Sequence, residues 1–297
     1  MSVKNAAETQ TPAPLSSSPV RPQAGRPGAQ PKASGTPRRK TLVPRRHYVW
    51  AVPLGWIALG VLMFGSWELL VLNDTLNPIY VGQPSAIVTA LFAALGTDLI
   101  TVHALSTFTG AIAGWALASV AGVLAALALA ASPFMLRVIE PYLTAINALP
   151  RVALAPIFLL WFGIGVESKI ALAFSLAFFV VFSNTLAGVQ SADEDRLLMA
   201  RVLGAKKHQT FTKFILPGAV PGIFTGLELG FIFGMLATVA GEMIAGQSGL
   251  GVRLQYFAAA FRMDQYFATL IILVAGTMLI SWGLRTIRTK LLRWQNN

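Results

Sequence analysis

Six apolar segments dominate the chain and leave little room for any fold except a bundle of membrane helices. They run near Tyr48 to Leu72, Thr101 to Ala131, Tyr142 to Ile164, Ile170 to Val189, Leu216 to Met243 and Phe267 to Ile287. Each is long enough for the roughly 20 residues that cross a hydrocarbon core. Lipid offers no partner to a backbone amide, so such segments are expected as helices. The charged fraction of 12% supports this, because soluble domains carry roughly 25%. The expectation is an all-α membrane protein with six transmembrane helices.

Orientation follows from the basic residues, which accumulate on the cytoplasmic side of short loops. With the N-terminus inside, the cytoplasmic regions hold twenty of the 23 Lys and Arg residues, and the external regions hold Lys169, Arg253 and Arg262. The twenty include Arg137 and Arg151 in the second loop. The reading is therefore N-in, C-in. It also accounts for the net charge of +11 without a nucleic-acid partner.

Residues 1–47 carry nine Lys or Arg and many Pro, Ala, Ser and Thr, with no sustained apolar periodicity. Such a composition cannot bury enough surface to offset its ordering entropy. A disordered basic cytoplasmic tail is expected there, followed by a membrane domain over 48–297. The first apolar run is too long for a signal-peptide core, and an organellar transit peptide is the alternative reading of the basic leader.

One polar stretch, Ala192 to Gly218, interrupts the apolar pattern and falls on the cytoplasmic side. Asp195 to Leu203 reads as a short helix, with Asp195 at its positive end and Gly204 as its stop. Lys206 to Ile215 reads as a second short helix, before Leu216 and Pro217 open an apolar one. Leu198, Val202, Phe211 and Phe214 give this knuckle an apolar face within a basic rim.

Ala200, Gly204 four residues on, and Phe214-x-Leu216-Pro217 after nine more resemble the cytoplasmic EAA loop of ABC importer permeases. Leu198 and Met199 stand where that family has Glu and its first Ala. Further likeness lies in P-S-A-I-V-T-A-L from Pro84, L-P-R-V-A-L-A-P-I-F-L-L-W-F-G-I-G from Leu149 and G-E-M-I-A-G-Q-S-G-L-G from Gly241. Together these resemble the nitrate, sulfonate and taurine branch.

The resemblance implies a type I importer permease fold in a bacterial inner membrane. It implies a homodimer, two cytoplasmic ATPases docked on a coupling loop at about 192–216, and an external solute-binding protein. ATP would act through the partner, with no cofactor bound directly. The docking residues implied are Asp195, Leu198, Ala200, Arg201, Gly204, Ala205, Phe211, Phe214, Leu216 and Pro217. Close relatives carry thiamine precursors or other small organic molecules, so the solute stays open between these and nitrate, taurine or an alkanesulfonate.

Ionisable and amide groups inside apolar segments are costly and so are candidates for function. Glu228 falls mid-bilayer and either pairs with a neighbour such as Arg285 or lines a pathway. Glu242, near the external end of the fifth segment, is a candidate gate or binding-protein contact. Asn184 is a helix-helix hydrogen bond or a solute contact, and Glu68 and His103 fall at the interface. Gly110, Gly114 and Gly122, and then Gly226, Gly230 and Gly234, form small-residue stripes that let helices approach closely. The second stripe suggests a breakable fifth helix at the bundle centre.

The sequence holds no phosphate-binding loop, no metal-ligand spacing among its three His residues and no Cys, so hydrolytic chemistry is expected from a partner. A membrane enzyme or scaffold is the competing class, and the Gly204 to Pro217 spacing speaks for the permease. The charge count makes a direct prediction: reporters fused at Lys4 and after Asn297 are cytoplasmic and one at Asn77 is external. An external C-terminal reporter would overturn the orientation.

Overall fold

The computed structural model describes residues 51–192 and 194–291, with the side chains of a few helix-end residues excepted. The expected basic tail lies outside the described residues. Those described form helices and their connections without any strand.

Among the described residues twelve α-helices follow one another: α1 (Ala51–Leu72), α2 (Pro78–Val81), α3 (Pro84–Ala94), α4 (Leu105–Ala130), α5 (Pro133–Asn147), α6 (Ala155–Phe162), α7 (Val166–Gln190), α8 (Glu194–Val202), α9 (Lys207–Thr210), α10 (Leu216–Ala245), α11 (Leu250–Ala259) and α12 (Met263–Leu291). Five continuous runs are long and apolar enough to span: α1, α4 with the wide turn that precedes it, α7, α9 through α10, and α12.

The third expected span, Tyr142 to Ile164, is bent rather than straight. Phe134–Asn147 and Arg151–Phe162 meet at 75°. Pro150 supplies the cause: it has no N–H to give and bars its predecessor from helical geometry. One tight turn at Arg151–Leu154 then leads into α6. The bend carries the Arg151 guanidinium over the Phe179 ring, 4.0 Å from its centroid. Phe179 sits near the midpoint of α7. Arg151, counted above with the cytoplasmic loops, thus lies halfway up the bundle, and nineteen basic residues still stand against three.

The core is α7 held between α4 and α10. On the α4 side, a Cβ placed on Gly114 would come 2.6 Å from Ala173 Cβ and 2.6 Å from Ile170 O, while one on Gly122 would meet Phe178 O at 3.0 Å. On the α10 side, Gly226, Gly230 and Gly234 lie against Asn184, Val181 and the Ala173 and Ala177 turns, and Gly222 meets Gly188 backbone to backbone. Both glycine stripes therefore face the same helix. α7 shares the centre with α10, the fifth span, which the sequence placed there and which belongs to the most buried of the spans among the described residues. α10 runs 30 residues through Pro217 and Pro221.

A second layer ties α1, α3 and α12 together. Glu68 on α1 accepts hydrogen bonds from Gln83 Nε2 at 2.6 Å, Ser85 Oγ at 2.8 Å and Ser85 N–H at 3.1 Å. Its carboxylate thus occupies the amide-rich start of α3, where negative charge is favoured. Asp264 on α12 accepts the Gln83 N–H at 2.9 Å.

The α4–α7 contact predicts a sharp asymmetry between glycines. Gly114→Leu forces a side chain into backbone, and overpacking of this kind costs about 1–3 kcal/mol or more. Gly60, with nothing within 4 Å, tolerates the same change. Thermal unfolding in detergent should separate the two variants clearly, and equal midpoints would refute the packing account.

Candidate functional site

Two constructions lie at opposite ends of the α7–α10 pair. At one end is the knuckle. Its first arm, α8, closes with Leu203 N–H on Met199 O and Ala205 N–H on Ala200 O, both at 3.0 Å. Gly204 between them has φ +73°, a left-handed conformation that glycine adopts freely at a helix end. Ala200 is buried at 1% exposure, whereas Leu198, Met199, Val202 and Leu203 are exposed at 60%, 63%, 80% and 75%. Their spacing places them on one face of α8. Monomeric soluble surfaces rarely leave such a face uncovered.

The second arm departs from expectation. The helix expected over Lys206 to Ile215 is the beginning of the membrane helix itself. α9 runs through a wide turn at Phe211–Ile215, in which Leu216 N–H reaches back to Phe211 O, and continues as α10. Pro217 is the reason. Without its N–H the ordinary ladder loses a rung, and a wider hydrogen-bonded turn restores continuity. Phe211, Leu216 and Pro217 are half-buried along this junction, and Phe214 is 37% exposed. Asp195 lies in the first turn of α8, Ala205 is half-buried, and Arg201 falls in α8 with its side chain outside the described residues.

At the far end, Glu242 is 1% exposed and forms an ion pair with Lys169, Oε1 to Nζ 2.7 Å. The ammonium group also donates to Ser106 Oγ and to Ser248 O, each at 2.7 Å. Its three N–H groups are thereby all used. The carboxylate accepts Gly251 N–H on Oε2 at 2.9 Å, and the Thr107 hydroxyl lies 2.9 Å from both of its oxygens. Thr107 Oγ1 in turn accepts Leu250 N–H at 2.8 Å.

The G-Q-S-G-L-G loop exists to wrap this carboxylate. Gly249 has φ +124°, and a Cβ there would stand 2.1 Å from the Glu242 carboxyl carbon. Its N–H donates to His103 Nδ1 at 3.0 Å, and Arg253 Nε lies 2.9 Å from His103 Nε2. Sequence reasoning singled out Glu242 but missed Lys169, Thr107, Ser106 and the His103–Arg253 contact. Lys169, counted above as external beside the Ile170 segment, lies one turn inside α7, and a buried ammonium requires an anion.

The remaining candidates are structural in their contacts. Glu228 on α10 pairs with Arg285 on α12, as one of its two readings had it. Asn184 Nδ2 donates to Val180 O within its own helix at 2.8 Å, and its Cβ lies against Gly226. It bridges no two helices by a hydrogen bond. Among the described residues no group of His, Cys, Asp and Glu could hold a metal ion.

Comparison with known proteins identifies the family. Residues 118–293 match the family model described as binding-protein-dependent transport system inner membrane component. The chain is 30% identical over 259 residues to the taurine transport system permease protein TauC of Escherichia coli, a likeness covering 84% of this chain and 94% of that protein. It is 31% identical over 247 residues to the riboflavin transport system permease protein RibX of Chloroflexus aurantiacus, covering 81% and 91%. Its backbone resembles that of a chain in a crystal structure of an amino acid ABC transporter with histidines, at a TM-score of 0.51 and 19% identity over 66% of this chain and 92% of that one.

The buried pair predicts a double-mutant cycle with a large coupling. Lys169→Met or Glu242→Gln alone strands one buried group, at a cost of about 3–5 kcal/mol for a lost partner. The double variant regains part of that stability, because neither charge remains. Thermal midpoints of purified protein in detergent report this, and additive losses would contradict the pairing.

Proposed function

The chain belongs to the family of binding-protein-dependent transport system inner membrane components, and on that premise we propose that it is the permease subunit of an ATP-driven importer for small sulfonates such as taurine. Two copies form the path, two cytoplasmic ATPases dock on the two knuckles, and an external solute-binding protein delivers the solute. The assembly sits in a bacterial inner membrane. Nitrate and thiamine-precursor solutes are the other candidates raised by the sequence. The sulfonate reading is favoured because two relatives are named for that chemistry, one for taurine and one for aliphatic sulfonates, whereas one relative of similar coverage is named for riboflavin.

The observation that carries the proposal is the uncovered apolar face of α8, joined through Gly204 to a helix that continues unbroken into the membrane. An amphipathic helix of this kind fits a hydrophobic groove on a partner. Closure of the ATPases would move α8, and the continuity of α9 with α10 would pass that movement into the core as rigid-body displacement. ATP binding thereby favours one arrangement of the path through differential contacts.

Gly204→Val tests the docking. Space is not limiting, since nothing lies within 4 Å of a Cβ there. The left-handed backbone is, at a cost of about 1–2 kcal/mol for a residue with a side chain. The variant should insert and dimerise normally yet lose taurine uptake in cells expressing the whole transporter. Normal uptake with coupled ATP hydrolysis would sink the assignment.

A further inference from the structure

We propose that Arg151, carried to mid-height by the α5–α6 bend, is the anion-binding residue of the translocation path and receives the acidic group of the solute. The inference rests on the permease reading and names the acidic group of the solute, sulfonate or carboxylate, as what the path recognises.

Three observations carry it. The first is the free valence of the guanidinium. Arg151 Nη2 donates to Asn147 Oδ1 at 2.7 Å and to Ile146 O at 3.4 Å, while its plane covers Phe179. A guanidinium has five N–H groups, so most remain available, and no carboxylate pairs with it among the described residues. A cation at membrane depth without a counter-ion needs one, or a water-filled space. Lys169 shows the contrast, with every donor used and an acid 2.7 Å away.

The second is its place between two open spaces. A cavity of about 650 Å³, lined by Phe158, Phe162, Phe174, Phe178 and Phe179, lies on the side toward the start of α7. Another of about 250 Å³, lined by Thr144, Asn147, Phe179, Ser183 and Gln190, lies toward its end. Phe179 belongs to both, and Arg151 rests on it. The residues run along one side of α7, so the two spaces form an apolar and then a polar stretch of a single groove that meet at Phe179, the ring beneath Arg151. Glu167 lines the first space and Glu140 the second. Each keeps an anion from resting there and leaves the cation between them as the favoured stop.

The third is the broken helix itself. Irregular backbone at membrane depth is tolerated where it lines a cavity, and discontinuous helices mark solute sites in transporters. A planar guanidinium suits a carboxylate or sulfonate, each of which offers two or more oxygens to its fork.

The absence of Cys from the chain permits a clean test. Ser183→Cys, one helical turn from Phe179 and roughly 6 Å along the axis, is introduced into the full chain. Membranes are treated with sulfonatoethyl methanethiosulfonate or with its trimethylammonium-ethyl analogue. The anionic reagent should react faster. Arg151→Gln should lower the anion-to-cation rate ratio by at least about tenfold, the scale expected of one unit charge at roughly 10 Å in a medium of effective dielectric ~20. Arg151→Lys should keep most of the ratio, and free methanesulfonate should slow labelling saturably in the chain with Arg151 where choline does not.

A cysteine at 183 that neither reagent reaches, a ratio indifferent to Arg151→Gln, or no protection by methanesulfonate would overturn the site. A merely structural Arg151 would lower the thermal midpoint in both variants without moving the ratio. Failure of taurine uptake in the intact transporter, with the ratio shift preserved, would instead remove the sulfonate-importer reading and leave the anion site standing.

Discussion

Everything in this bundle depends on how closely two helices approach α7. In lipid there is no hydrophobic gain from hiding one apolar helix behind another, so association rests on van der Waals contact and on backbone proximity. Glycines at 110, 114 and 122 on α4 and at 222, 226, 230 and 234 on α10 bring backbone or Cβ atoms of α7 within about van der Waals distance along most of its length. Such an interface slides little, because a shift of one residue sets side chains against backbone. The three helices therefore resist sliding past one another. α1 and α3 are joined by the capping carboxylate of Glu68, whereas α12 both accepts the Gln83 N–H on Asp264 and packs into the core, with Gly276 against Phe108 and Leu270 and Leu273 on the buried cluster.

Two cations of the domain are placed differently. Lys169 and Glu242 are saturated: each polar atom of the pair has a partner, and a loop of glycines encloses the carboxylate. A buried pair of this sort adds little net stability over apolar residues of equal volume, yet removal of one member is severe. Its value lies in fixing which arrangement the helix ends adopt. Arg151 uses only Nη2 as a donor and rests on Phe179, a ring that lines two open spaces. A single membrane domain thus keeps one cation for architecture and leaves another for a visitor.

Much of this was legible in the residues. Apolar length located α1, α4, α7, α10 and α12 to within a few positions, since lipid enforces both length and helicity. Gly204 announced its left-handed turn, and the Glu228–Arg285 pair was foreseeable from the cost of an unpaired mid-membrane carboxylate. The rest was hidden for definite reasons. Pro150 within an apolar run reads equally as a kink or a span, and only tertiary packing against α7 decides for the bend. Pro217 looks like a helix start because proline favours first turns, yet the wide turn before it absorbs the missing bond. The Lys169–Glu242 pair joins two distant spans, and no local period reports such a partnership.

The same two helices that hold the buried pair also flank the knuckle, and this has a mechanical consequence. α7 carries Lys169 near its start and leads into α8 at its end; α10 begins at the knuckle and carries Glu242 near its end. Any relative motion of α7 and α10 driven from α8 must either separate the ion pair or leave it in place. Separation strands two buried charges at several kcal/mol. Rotation about the pair sacrifices only van der Waals attraction as the glycine faces part, beginning at the knuckle end where Gly222 meets Gly188. The cheaper motion is a scissor pivoting on Lys169 and Glu242, widest where α8 sits and passing through the height of Phe179. A lever with its fulcrum at one end and its handle at the other moves the midpoint by about half the displacement at the handle. The α7–α10 contact at the height of Phe179 would therefore open by about half the displacement imposed at α8, which for a shift of a few ångströms is the scale of a single van der Waals gap.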